Sequence, residues 1–185
     1  LDISCFNSGG GSGSSGSSRT IPFEWAMLGA LEQLRAVGAG LSGMLDALPF
    51  GIGSMPKLAV LILDNNFGLS GSLPASWAQL PLHVLSLSNT NVQGSLPPVW
   101  GDVAANSTLR STLQQLYLHR TRISGEIPAA WYTGFANVTD FTVWGSNVCG
   151  KHPEAATGLG SLCLDSTGTK LGALAAANCV CSFMT

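Results

Sequence analysis

The segment Leu116 to Trp131, LYLHRTRISGEIPAAW, constrains this chain more than any other, because it recurs. Aligned on its last residue, the same ending appears as Ile21-Pro22-x-x-Trp25, Leu73-Pro74-x-x-Trp77, Leu96-Pro97-x-x-Trp100 and Ile127-Pro128-x-x-Trp131. Leu48-Pro49 carries Ile52 in the tryptophan place. Gly43, Gly71, Gly94 and Gly125 each precede an apolar residue by two positions. Further upstream stand the pairs Leu1/Ile3, Leu34/Ala36, Leu61/Leu63, Leu85/Leu87, Leu116/Leu118 and Phe141/Val143, with the period of two of a short half-buried strand. Six strand signals about 24 to 33 residues apart describe a unit that cannot bury both of its sides alone. Stacked copies can. Each unit is expected to be one strand followed by a tight coil that turns away from it.

Two further columns follow from the alignment. Asn66, Thr90, Thr121 and Ser146 share one register, and their short polar side chains suit backbone groups that turn into the core. The tryptophans are expected to form a packing column on the convex side rather than a binding stripe. Composition agrees with a stacked core: 45% of the 185 residues are apolar and only 10% are charged, well under the usual ~25%. The formal net charge of −2 and the lack of a Lys/Arg run argue against nucleic acid or an acidic membrane as partner. No apolar run approaches the ~18 residues of a spanning helix.

The pattern LxxLxLxxNxLxGxLPxxW resembles the leucine-rich repeats of plant receptor ectodomains and polygalacturonase-inhibiting proteins. The PxxW ending, with Thr90 and Thr121 where Asn66 stands, looks closer to repeats in protist surface proteins, notably the promastigote surface antigens of kinetoplastids. This resemblance implies an α/β solenoid: a right-handed, curved stack with a parallel sheet on its concave face. Residues 1–148 are assigned to the repeats, about six strand units with the first incomplete, and 149–185 to a cysteine-containing C-terminal cap. A stack opening on the bare strand Leu1–Ile3 would expose core, so the chain is expected to be part of a longer protein.

The departures from the repeat are informative. Ser8 to Ser18 is glycine and serine only, a flexible insertion; its GSGSSG run matches GxGxxG formally, but no amphipathic helix follows at Gly16. A second insertion near Gly101 to Thr112 carries the sequon Asn106-Ser107-Thr108, and Asn137-Val138-Thr139 is another. Each asparagine lies six residues beyond its unit's tryptophan, which places both on one flank and predicts N-glycosylation in the secretory pathway. Four of the five cysteines, Cys149, Cys163, Cys179 and Cys181, crowd the C-terminal end, and point to disulfides in an oxidising compartment. Metal binding is the competing reading, weakened because no CxxC pair is present and only His152 lies near. Cys149-Gly150 resembles the start of the disulfide-closed cap of extracellular leucine-rich-repeat proteins. That resemblance favours a Cys149–Cys163 bond and leaves Cys179 or Cys181 for a bond not placed, with Cys5 free or paired outside the chain. Leu171 to Asn178 is expected to form a short helix over the last repeat.

No catalytic machinery is expected. His83, His119 and His152 lack converging partners, and no GxSxG, HExxH or P-loop occurs. Asp64 and Asp140 fall on strands three units apart, about 14 Å at ~4.8 Å per strand, too far for a glycosidase pair. No cofactor and no metal are implied. What remains is a surface, whose outward columns follow from strand parity. One holds Arg35, Ile62, Ser86, Tyr117 and Thr142; the next holds Val37, Asp64, Ser88, His119 and Trp144; a third holds Gly38, Asn65, Asn89, Arg120 and Gly145. The candidate ligand-binding residues on the concave face are Tyr117, His119, Arg120, Asp140 and Trp144, with Asp64 and Asn65 beside them. Aromatics mixed with arginine suit protein hot spots and sugar-stacking platforms. The expectation is a non-catalytic extracellular or cell-surface module that binds a protein or glycan. The alternative is a structural block in a surface coat, extracellular matrix or filament, with other subunits of that assembly as partners.

Overall fold

The computed structural model describes residues 1–3, 20–21, 23–47 and 55–149. The Gly/Ser insertion, the Leu48–Ile52 ending, the cap helix and every cysteine but Cys149 lie outside the described residues. Among the described residues ten short strands alternate: β1 (Gln33–Arg35), β2 (Ser42–Met44), β3 (Val60–Ile62), β4 (Gly68–Ser70), β5 (Val84–Ser86), β6 (Gln93–Gly94), β7 (Gln115–Tyr117), β8 (Arg122–Glu126), β9 (Asp140–Thr142) and β10 (Asn147–Cys149). The odd-numbered strands form one parallel sheet in the order β1-β3-β5-β7-β9. Its register sets Leu34, Leu61, Leu85, Leu116 and Phe141 directly opposite one another. Asp2 bridges to Arg35, whose backbone exchanges 2.9 Å bonds with Leu1 and Ile3, so the first strand signal also sits in line.

The even-numbered strands were not anticipated. The segment expected as plain coil forms a second parallel ladder, β2-β4 and β6-β8-β10, with the Ser72–Gln93 bridge between the two groups. Here the register slips. Gly43 pairs with Leu69, Gly94 with Ile123 and Gly125 with Val148, so each motif glycine faces the residue two places before the next unit's equivalent position. The last of these strands runs through Cys149, the residue at which the cap was expected to begin.

Between the two ladders the backbone turns through a left-handed residue in each unit. Gly38, Asn65, Asn89, Arg120 and Gly145 have φ of 61°, 60°, 57°, 53° and 70°. Asparagine and glycine tolerate this region; arginine at the fourth position is uncommon there. Each of the first four donates its N–H to a strand-end carbonyl of the next unit, Asp64, Ser88, His119 and Trp144 in turn, at 2.8–3.0 Å.

The interior is a ladder of leucines with little or no exposure, each fully buried one contributing roughly 2 kcal/mol. Behind it Trp77, Trp100 and Trp131 are fully buried and stacked in parallel, with centroids 6.3 and 5.9 Å apart. The indole N–H of Trp100 donates to the Pro74 carbonyl at 3.0 Å, and that of Trp131 to the Pro97 carbonyl at 2.8 Å. Each thus bonds to the proline that opens the preceding unit's helical turn. The expected packing column is present. Its turns are 3₁₀ at Ala75–Gln79 and Pro98–Trp100, and α-helical in α2 (Ala129–Gly134); a further helix, α1 (Thr108–Thr112), falls within the second insertion. Gly134 packs so closely on Gly101 that a Cβ there would lie 1.9 Å from the Gly101 carbonyl oxygen.

The polar column also serves the interior. Asn66 is fully buried; its Oδ1 accepts from Leu41 N–H at 2.9 Å and its Nδ2 donates to the carbonyls of Ala36 and Leu63 at 2.7 and 2.8 Å. It therefore joins two units. Thr90 and Thr121 reach only within their own, to Leu87 and Leu118. Replacing Asn66 by alanine strands several buried groups and is expected to cost about 3 kcal/mol, whereas Thr90→Val should cost about 1 kcal/mol. Urea denaturation of the two variants measures the difference; equal losses would refute the inter-unit role of Asn66.

Candidate functional site

The outward columns fall where strand parity puts them. Arg35, Ile62, Ser86, Tyr117 and Thr142 lie opposite one another across the five strands. The next column runs Asp64, Ser88, His119 and Trp144, just beyond the ends of β3, β5, β7 and β9. At the C-terminal end of this face the side chains close on one another. The His119 imidazole lies flat on the Trp144 indole, centroids 4.6 Å apart and planes 10° from parallel. The Arg120 guanidinium carbon stands 4.9 Å from the centre of the same ring, within cation–π range. The left-handed turn at Arg120 sends this side chain beside its strand's histidine. Gly145 keeps the space open, since a Cβ there would touch Arg120 Cγ at 3.2 Å.

A chain of hydrogen bonds supports this group from the N-terminal side. Asp64 Oδ1 accepts from the Ser86 hydroxyl at 2.6 Å and from Ser88 N–H at 2.8 Å. The Ser88 hydroxyl lies 3.0 Å from His119 Nδ1, and the Thr142 hydroxyl lies 3.3 Å from the same nitrogen. A hydroxyl can donate to a bare Nδ1 or accept from Nδ1–H, so both tautomers are accommodated. Asp64, His119, Arg120 and Trp144 are thus brought into one network. Tyr117 stands half-buried on the adjacent column. Asp140 sits at the start of β9, 3.4 Å from Gln115 Nε2 and 3.3 Å from the Thr139 hydroxyl. Asn65 is exposed two units from Arg120 in the left-handed column. Sequence reasoning placed Ser86, Ser88 and Thr142 in these columns without giving them a role. Ser86 and Ser88 are buried although they point outward from the sheet. Their signal was adjacency to larger outward residues on neighbouring strands.

Burial pushes the His119 pKa below its ordinary value of 6.5; nearby Asp64 opposes this and Arg120 reinforces it. The imidazole is therefore neutral at pH 7. Among the described residues no cluster of His, Cys, Asp or Glu could hold a metal ion, and no helix is long and apolar enough to cross a membrane.

No family model matches the chain. Receptor-like protein 6 of Arabidopsis thaliana is 34% identical over 80 residues, 43% of this chain and 8% of that protein. Among solved structures, that of PEPR1-AtPEP1 superimposes with a TM-score of 0.62 at 30% identity, over 73% of this chain and 18% of that one. The plant peptide hormone receptor RGFR1 in complex with RGF2 gives a TM-score of 0.56 at 26% identity, over 80% of this chain and 26% of that one. The chain spans only a small part of each relative's length. It is a leucine-rich-repeat protein with an α/β solenoid fold, resembling the ectodomains of plant receptors.

A lowered histidine pKa carries a sign for stability. The unfolded chain takes up the His119 proton as pH falls through 6.5, whereas the folded chain resists it until its lower pKa is reached. The contribution of His119 is complete above pH 6.5 and is lost as pH falls through the folded value. NMR titration of the His119 ring protons is expected to give a midpoint below 6.5. Denaturation of His119→Gln should show a weaker pH dependence than the parent in that window. A midpoint at or above 6.5 would overturn the assignment.

Proposed function

We propose that this chain is a non-catalytic, extracellular recognition module that binds a peptide or protein ligand through the face of its five-stranded sheet. The observation that carries the proposal is the half-exposed cluster of Tyr117, His119, Arg120 and Trp144 at the C-terminal end of that face. Aromatic and arginine side chains held in fixed positions lose little conformational freedom on binding, which is what a hot spot requires. The Arg120 guanidinium offers charge for an acidic group, and Tyr117 with the exposed part of Trp144 offers apolar area. Asp64 and Asp140 supply acceptors on either side. One face of the indole is already occupied by His119, which favours peptide or protein side chains over a sugar ring needing an open platform.

The similar solved structures support the same direction. RGFR1 is described as a plant peptide hormone receptor in complex with RGF2, and it shares the fold over most of this chain. A location outside the cell or at its surface fits these relatives and the sequons. A role as a structural block of a surface assembly would draw instead on the flank of the second ladder, where Met44 and Phe67 are 53% and 69% exposed.

With a captured ligand, alanine at Tyr117, Arg120 or Trp144 is expected to weaken binding by about 1 kcal/mol or more each, roughly fivefold or greater in Kd. Calorimetry or surface-based binding measures this, with near-UV circular dichroism to verify the fold. If all three variants bind as the parent does, while Met44→Asp or Phe67→Asp disperses an assembly, the structural role holds and the recognition face does not.

A further inference from the structure

The sequence placed the two sequons on one flank; the structure brings them to the two ends of one five-residue helix. Asn106 immediately precedes Ser107, the N-cap of α1, whose hydroxyl accepts from Arg110 N–H at 3.2 Å. Asn137 reaches back across one full unit to donate its Nδ2 to the Ser111 carbonyl, at 2.7 Å, near the other end of α1. At 1.5 Å per residue, α1 separates them by roughly 8 Å. Both asparagines are exposed. The anchoring between them is buried: the Ser107 hydroxyl sits within 3.0 Å of the carbonyls of Ala78 and Trp100.

We infer that Asn106 and Asn137 both carry N-linked oligosaccharides, set side by side on the flank that precedes the recognition strands. The bond that forms joins the side-chain amide nitrogen to C1 of a sugar. The bond that breaks joins that carbon to the diphosphate of a polyprenyl-diphosphate oligosaccharide, the donor that a membrane-bound transferase of the secretory pathway supplies. The amide nitrogen gives up one proton, and the lipid diphosphate leaves with the electron pair. One N–H remains on the modified nitrogen, enough for Asn137 to keep its bond to Ser111.

Chain order gives the pair a direction. In each of the two turns from β5 to β9 the chain passes a sheet strand, then the second ladder, then the tryptophan turn, then the sequon segment, and returns to the sheet. The second ladder and the sequon segment therefore border the sheet on opposite sides. Two glycans beside α1 close one border next to β7 and β9, and leave the second-ladder border bare. A ligand that overhangs the face proposed above must do so across the second ladder. This inference rests on the extracellular placement in that proposal.

The test is translation of the whole chain behind a cleavable secretory leader, in the presence of microsomes, followed by glycopeptide mapping. Two mass additions are expected, each removed by a glycoasparagine amidase that leaves aspartate at Asn106 and Asn137. Asn106→Asp, which tolerates the left-handed backbone (φ 52°) at this position, should lose one addition and keep the other. Thr139→Val should do the converse. Unmodified asparagines at either position after import would overturn the inference, and this reading needs no variant to fold. Mapping the protein from its native source adds a second arm: sites modified in microsomes but bare in the native protein would refute both the extracellular placement and the glycosylation of the native chain, whereas sites unmodified in microsomes would refute the glycosylation alone.

Discussion

The strands of this solenoid find their hydrogen bonds only in neighbouring turns, and the rest of the structure follows from that constraint. Strands of three residues have no stability alone; they exist because each finds its carbonyls and amides in the turns on either side. A stack with a buried interior can do this only if every turn presents the same groups at the same height. The leucines opposite one another from Leu34 to Phe141 meet that condition. The stacked indoles do the same on the far side, and the N–H groups of Trp100 and Trp131 bond to the preceding turn rather than to their own. Cohesion is therefore a property of neighbours, which is why the interior tolerates few charges and why Asn66 matters beyond its size.

The outward face of the five-stranded sheet inherits its order from the same stacking. His119 and Trp144 lie against each other because successive strands are one ladder step apart, a spacing that suits two stacked rings. Arg120 joins them because the turn after β7 is left-handed. Ser86 and Ser88, outward by parity yet buried, are small enough to let larger side chains of the next turn lie over them. The cluster is thus preorganised by the backbone, with the hydrogen-bond chain from Asp64 to Thr142 holding the imidazole in place.

Much of this was legible in the sequence, and the reason is physical. Leucine pairs, the Asn66–Thr90–Thr121 register and the tryptophan column are each fixed by burial, and burial leaves a chemical signature in residue type. The outward columns followed because a strand has only two faces. The second ladder did not follow. Its bonds run from backbone to backbone through glycine and serine, with no apolar alternation to betray a strand. The left-handed column was half legible: Asn65 and Asn89 suit that conformation, but arginine at position 120 carries no such mark. The contacts among His119, Arg120 and Trp144 depend on side-chain direction across two strands, which parity alone does not specify.

The two ladders keep different time. One advances residue for residue from turn to turn, while the other lags by one to three residues, roughly 3 to 10 Å at ~3.3 Å per residue. A pile of turns with unequal lag on its two sides cannot be a straight prism; it winds, each turn rotated against the last, as treads wind about a stair. A rigid rod laid on the face would meet only a few consecutive treads. A pliant chain could follow the stair along its length.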